Sequence, residues 1–105
     1  MALYADVIDI VTPAEAQSGS RVDITARIRN LHTAPIGIMV GGALEYGVSP
    51  WPSIIFPVSS ANVNAGVTRD FSGYFTIPNN KVTVHVYSYW YGVDNAWHFD
   101  DEMTK

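Results

Sequence analysis

A small all-β sandwich is the fold this sequence predicts, and three observations predict it. Residues 21–30, RVDITARIRN, alternate strictly: Val22, Ile24, Ala26 and Ile28 fall on one side of an extended chain, and Arg21, Asp23, Thr25, Arg27 and Arg29 on the other. That period of two is the mark of a strand with one buried and one wet face. Comparable stretches recur before and after it at turn-separated intervals. Apolar residues make up 48% of the 105 and charged residues 15%, with six prolines and eight glycines spread between the apolar runs. Such a composition suits a turn-rich β domain and excludes a disordered acidic tail.

Taken in order, residues 5–11 form a first strand, β-branched but poorly alternating, as burial on both faces or a switch between sheets would require. Pro13 ends it, and residues 14–20 turn the chain, with Gly19 available for positive φ. A helix there is too short to stand, beyond a single turn. The alternating strand 21–30 follows, then a loop over 31–35. Residues 36–40 make a third strand, interrupted at Gly41 and Gly42 by a bulge or close backbone approach and resuming over 43–46. Residues 47–52, GVSPWP, are a turn carrying Trp51, and 53–58 a short edge strand, since it contains Pro57. Residues 59–66 read as a polar loop.

Residues 67–77 alternate again, with Val67, Phe71, Phe75 and Ile77 inward and Gly73 in the same row, where a large neighbour would lie over it. Pro78, Asn79 and Asn80 turn the chain into 81–91, which points Val82, Val84, Val86, Ser88 and Trp90 inward and Thr83, His85, Tyr87, Tyr89 and Tyr91 outward. After a turn over 92–96, residues 97–103 close the fold. Two registers compete for this last hairpin. Pairing Tyr91 with Trp97 puts Trp97 and Phe99 on the tyrosine face; pairing Trp90 with Phe99 returns Trp97, Phe99 and Met103 to the core and sets His98, Asp100 and Glu102 beside the tyrosines. The second buries more apolar surface and is the expected one, although it turns Asp101 inward.

Two stretches carry a family likeness. VTPAEAQSGSRVDITARIRN resembles the opening of the immunoglobulin-like modules of bacterial, archaeal and phage surface proteins, including the adhesion-related CARDB-like type, in its Pro13, Gly19, Val22 to Ile28 and Asn30. FSGYFTIPNNKVTVHVYSYW is similar to their penultimate hairpin. The resemblance spans almost the whole chain and implies an immunoglobulin-like β-sandwich of about seven antiparallel strands in a single domain, residues 1–105. It lacks both cysteines of the antibody inter-sheet bridge. Such modules serve as spacers, adhesins, glycan binders and particle components, so it implies no single activity.

Chemistry is constrained mainly by exclusion. There is no cysteine, hence no disulfide, thiolate nucleophile or cysteine zinc site. Ten acids against six bases give a net charge of −4, and the basic residues Arg21, Arg27 and Arg29 share a face with Asp23, so no nucleic-acid partner is expected. The opening MALYADVIDIV has no basic leader and carries Asp6 and Asp9; no signal peptide is expected in this chain, and no run is long enough for membrane insertion. No G-x-S-x-G elbow, phosphate loop or H-E-x-x-H occurs. Catalytic residues, cofactors and metals are therefore not expected, and the cluster Asp94, Asn95, His98, Asp100, Asp101 and Glu102 reads as a solvated acidic edge.

The candidate surface is the outward row His85, Tyr87, Tyr89 and Tyr91, extended by Tyr74 if the neighbouring strand pairs with it. Such a row either binds a partner or sugar by stacking, or simply stabilises the sheet across strands. Trp51, stiffened between Pro50 and Pro52, is a plug over the open end or a projecting anchor. Sparse charge and an aromatic row together lead to a non-enzymatic structural or interaction module, self-assembling or contacting neighbouring protein subunits through sheet edges and this face. The expected setting is a virus particle or a cell surface. The alternative is a carbohydrate-binding module using Tyr87, Tyr89, Tyr91 and Trp51.

Overall fold

Strand alternation builds two antiparallel sheets whose apolar rows face each other across one core. The structure, a computed structural model, describes residues 2–13 and 15–105. Met1 and Ala14, which belong to the expected opening run and first turn, lie outside the described residues. Seven strands are present: β1 (Ala5–Val11), β2 (Arg21–Asn30), β3 (Ile36–Glu45), β4 (Ser60–Val63), β5 (Thr68–Thr76), β6 (Thr83–Tyr91) and β7 (Trp97–Thr104), with no helix among the described residues. One sheet has the order β1-β2-β5 and the other β4-β3-β6-β7. The connections β2 to β3, β4 to β5 and β5 to β6 cross from sheet to sheet, the wiring of an immunoglobulin-like sandwich.

Val22, Ile24, Ala26 and Ile28 of β2 meet Phe71 and Phe75 of β5 on one side of the core, and Ile38, Val40, Leu44, Val84 and Val86 on the other. The poor alternation of β1 comes from a bulge between Val7 and Asp9. Ala5, Val7 and Ile10 are thereby buried, while Ile8 and Val11 are exposed. Asn30, fully buried at the end of β2, is satisfied on all sides. Its amide donates to the carbonyls of Ala34 and Val63 at 3.0 and 2.9 Å, and its Oδ1 accepts from the His32 amide at 2.7 Å.

Several expectations are corrected. β3 runs unbroken through Gly41 and Gly42; Gly42 is where Ile54 packs down, and a Cβ there would stand 2.8 Å from its Cδ1. Residues 53–58 are no regular strand. Ser53 bridges Ala43 of one sheet and Ile55 bridges Tyr74 of the other, so this segment laces the two sheets together along one side while Ile54 and Phe56 enter the core. Phe56 is the large residue over Gly73, 2.7 Å from where its Cβ would be. The expected polar loop contains β4, which pairs with β3 as an edge. Val67 is exposed just before β5.

The opposite side is closed by side chains. β7 carries a bulge, with Tyr89 opposite Phe99 but Ser88 opposite Asp101, so Asp100 is the extra residue. Its carboxylate turns to the start of β1, where Oδ1 accepts from the Leu3 amide at 2.6 Å and Oδ2 from the Tyr4 and Ala5 amides at 2.8 and 2.6 Å. Asp101 accepts from the Val7 amide at 3.0 Å, the Ser88 hydroxyl donates to the Ala5 carbonyl at 2.5 Å, and the Lys105 ammonium donates to the Ile10 carbonyl at 2.8 Å. A solvated acidic edge is thus the wrong description of Asp100 and Asp101: they satisfy backbone groups that an open strand edge would offer to another chain.

Candidate interaction face

The outward row of β6 follows from alternation alone. His85, Tyr87, Tyr89 and Tyr91 point away from the core because Val84, Val86 and Ser88 between them are buried. What flanks the row depends on register. On β7, Trp97 lies opposite Tyr91, Phe99 opposite Tyr89 and Glu102 opposite Tyr87. The expected register, which buried Trp97 and Phe99, is therefore wrong for this half of the hairpin. The bulge at Asp100 explains why: it lets the aromatic half take one register and the Met103 half the other, so Met103 packs against the core while Phe99 stands 59% exposed. Glu102 joins the tyrosines as expected; His98 and Asp100 do not.

On the other flank, β3 contributes three small residues and one long side chain, Met39. Met39 lies opposite Tyr89, Gly41 opposite Tyr87 and Ala43 opposite His85, and Gly37 sits beside Tyr91. The result is a ridge of rings on β6 and β7 next to a trough on β3 that Met39 divides in two. The rings touch in sequence. Trp97 meets Tyr91 at 5.1 Å between centroids, Phe99 meets Tyr89 at 5.8 Å and Tyr87 at 6.2 Å, and His85 stacks with Tyr87 at 6.2 Å. Trp51 stacks on His85 at 4.6 Å with planes 24° apart, and it is 41% exposed. It therefore lies on the outer face of the sheet, where sequence reasoning had weighed a plug against a projecting anchor.

Tyr74 is not part of this row. β5 pairs with β2 in the other sheet, so the stretch resembling a penultimate hairpin is a crossover, and Tyr74 instead lies under the Arg21 guanidinium, 4.1 Å from its ring centroid. On that opposite outer face Arg27 stands between Asp9 and Asp70 at 3.5 and 3.4 Å.

His85 is the most enclosed member of the row, 8% exposed. Nδ1 lies 2.6 Å from Glu102 Oε2 and Nε2 lies 2.8 Å from Glu45 Oε1. An ionised carboxylate only accepts hydrogen bonds, so satisfying both contacts requires both ring nitrogens to donate, which is the imidazolium. Burial works against that cation, and the hydrogen bonds to Glu102 and Glu45 outweigh it, raising the His85 pKa above the ordinary histidine value. Burial, then Glu102, Tyr89 and Glu45, raises the pKa of the Tyr87 hydroxyl.

Trp97 and Phe99 are the face residues that sequence reasoning assigned elsewhere. The available signal was the rejected register, in which W-x-F continues the tyrosine alternation. A second aromatic group closes one end of the sandwich, where Tyr4 packs edge-on to His32 and Trp90, and Trp90 stacks on His98 at 4.5 Å. These rings cover one another. His98 also pairs with Asp94 at 2.9 Å, which lowers the Asp94 pKa. His85 and His98 lie towards opposite ends of the β6–β7 ladder, and among the described residues no three histidine, cysteine or acidic side chains converge as a metal site. A comparison with models of known protein families matches none of them. Comparison with curated protein sequences likewise finds no significant match.

Proposed function

We propose that this chain is a non-enzymatic interaction module that associates with further copies of itself through the outer aromatic face of the β4-β3-β6-β7 sheet. It would serve as a repeated subunit of a virus particle, surface filament or adhesin. The observation that carries this reading is the ridge of Tyr91, Trp97, Tyr89 and Phe99 beside the trough of Gly37, Gly41 and Ala43, which Met39 divides in two. Under a two-fold axis a ridge and a parallel trough on one surface fit their own copy. The strands β3, β6 and β7, each about 30 Å long, and the four-residue β4, about 14 Å, lie about 4.8 Å apart and present roughly 500 Å² in projection. That is of the order of the ~800 Å² each partner contributes to a standard interface. Sheet edges are the weaker route, since the Asp100, Asp101, Ser88 and Lys105 contacts engage one side and residues 53–55 lace the other.

Sedimentation across a concentration series tests the reading. The wild type should self-associate, and Phe99→Asp should dissociate it at least tenfold more readily while keeping its circular dichroism and melting temperature. Should Phe99→Asp melt early, Tyr91→Ser carries the same test. A wild type that stays monomeric at every concentration refutes it.

A second reading, saccharide binding, is favoured by one feature. Gly37 floors a depression of about 390 Å³ walled by Trp97, Tyr91, Asn62 and Ser60, within the usual range for ligand sites. No charged side chain lines it, so it suits a neutral hydroxyl-bearing ring. Titrating the chain with a glycan panel while following the Trp97 indole separates the two.

A further inference from the structure

We propose that Glu45, His85 and Glu102 form a pH-sensitive latch that holds Trp51 against the aromatic face and lets it go when His85 loses its proton. The part of this inference that concerns association rests on the function proposed above. The latch joins four separate pieces of chain: Glu45 at the end of β3, His85 in β6, Glu102 in β7 and Trp51 in the 47–52 turn. With His85 protonated, both short contacts are N–H to carboxylate, and the ring offers a cation to the indole stacked on it. Once the proton leaves, one nitrogen presents a lone pair to a carboxylate oxygen less than 3 Å away. That contact turns repulsive, and the carboxylate swings towards solvent.

The titratable and charged groups that face His85 are few. β3 supplies Glu45, β7 supplies Glu102, and β6 itself supplies the Tyr87 phenol, whose pKa is raised first by burial and then by its charged neighbours; Trp51 brings no charge. Among the described residues, His85 is the basic group these two carboxylates pair with. The charge of the cluster is therefore −1 when closed and −2 when open, by counting two carboxylates with and without one imidazolium. Because both carboxylates lie on the face proposed to pair with a second copy, opening sets additional negative charge against negative charge and weakens pairing.

The sign follows from the raised His85 pKa. Its contribution is complete below the unfolded histidine value of about 6.5 and is lost as pH rises through the higher folded value.

The test is an NMR titration of the full chain, following the His85 ring protons and the Trp51 indole, assigned with Trp51→Phe. The expected result is a His85 midpoint above about 6.5, with the Trp51 indole resonance moving at the same midpoint. Glu102→Gln should lower that midpoint, and His85→Gln should abolish the Trp51 step. If His85→Gln does not fold, the Glu102→Gln shift alone decides, because Glu102 is exposed at the surface. A midpoint at or below the ordinary value, or a Trp51 signal with no step, overturns the latch.

Sedimentation at about pH 5.5 and about pH 9, on either side of the histidine range, reads the second part. The dimer dissociation constant should rise about tenfold at the higher pH, the order expected of a surface charge pair. A titrating Trp51 with pH-independent association retains the latch and removes the face from the interface. Association with a static Trp51 does the reverse.

Discussion

Removing the Asp100 carboxylate should loosen β1 from the rest of the sandwich. Asp100→Ala strips acceptors from three consecutive amides, those of Leu3, Tyr4 and Ala5. The Leu3 contact is exposed, so water replaces it at little cost. The Tyr4 and Ala5 amides are part-buried, and a buried donor left without an acceptor costs about 1–3 kcal/mol. Two of them, with some relaxation of the chain end, give about 3 kcal/mol. Against a domain stability of about 5–15 kcal/mol this is a large fraction, and at roughly 5 °C per kcal/mol for a chain of this size the melting temperature should fall by about 15 °C. Asp100→Asn, with its carbonyl oxygen in the place of Oδ2, still accepts from both Tyr4 and Ala5 and should lose only the charge assistance and the exposed Leu3 contact, about 1 kcal/mol. Urea unfolding gives the free energy, and amide exchange gives the location: Tyr4 and Ala5 should lose protection in the variant before the amides of β3 do. An Asp100→Ala protein melting within about 3 °C of wild type would refute the reasoning, because the bulge would then be re-aiming a side chain whose bonds contribute nothing.

Asn30→Ala leaves the Ala34 and Val63 carbonyls and the His32 amide without their side-chain partner. It should cost about 2–4 kcal/mol in urea unfolding, and Asn30→Asp should not rescue it, since a carboxylate cannot donate to the two carbonyls. Asp6 has its pKa raised by burial and by the nearby Asp101 and Asp100 carboxylates. Its ionised form therefore opposes folding at neutral pH, and protonation relieves that opposition as pH falls through the raised value. Asp6→Asn should accordingly stabilise the chain at pH 7, and the gain should disappear below the ordinary aspartate value of 3.8; melting curves across that range check it.

How much of the face was legible can be read from particular residues. Parity placed His85, Tyr87, Tyr89 and Tyr91 outward, because Val84, Val86 and Ser88, which alternate with them and are buried, are themselves local information. The same parity placed Val22 to Ile28 and Phe71 to Phe75 inward and marked Gly73 as the place for a large neighbour. Tyr74 obeyed the same parity and still belongs to the other face of the molecule, because alternation is silent about which sheet a strand joins. Trp97 and Phe99 were misplaced by a single inserted residue, since one extra position flips every side chain beyond it.

By itself, then, the sequence determined the class of fold and the inward and outward rows within each strand, which depend on neighbours one and two positions away. The tertiary structure alone decided which strands share a sheet, where β7 bulges, and that Asp100 finds amides some 95 positions distant. It also decided that His85 sits closed between Glu45 and Glu102. Those outcomes are contacts between segments far apart in the chain, and their energies exist only once the sheets have packed.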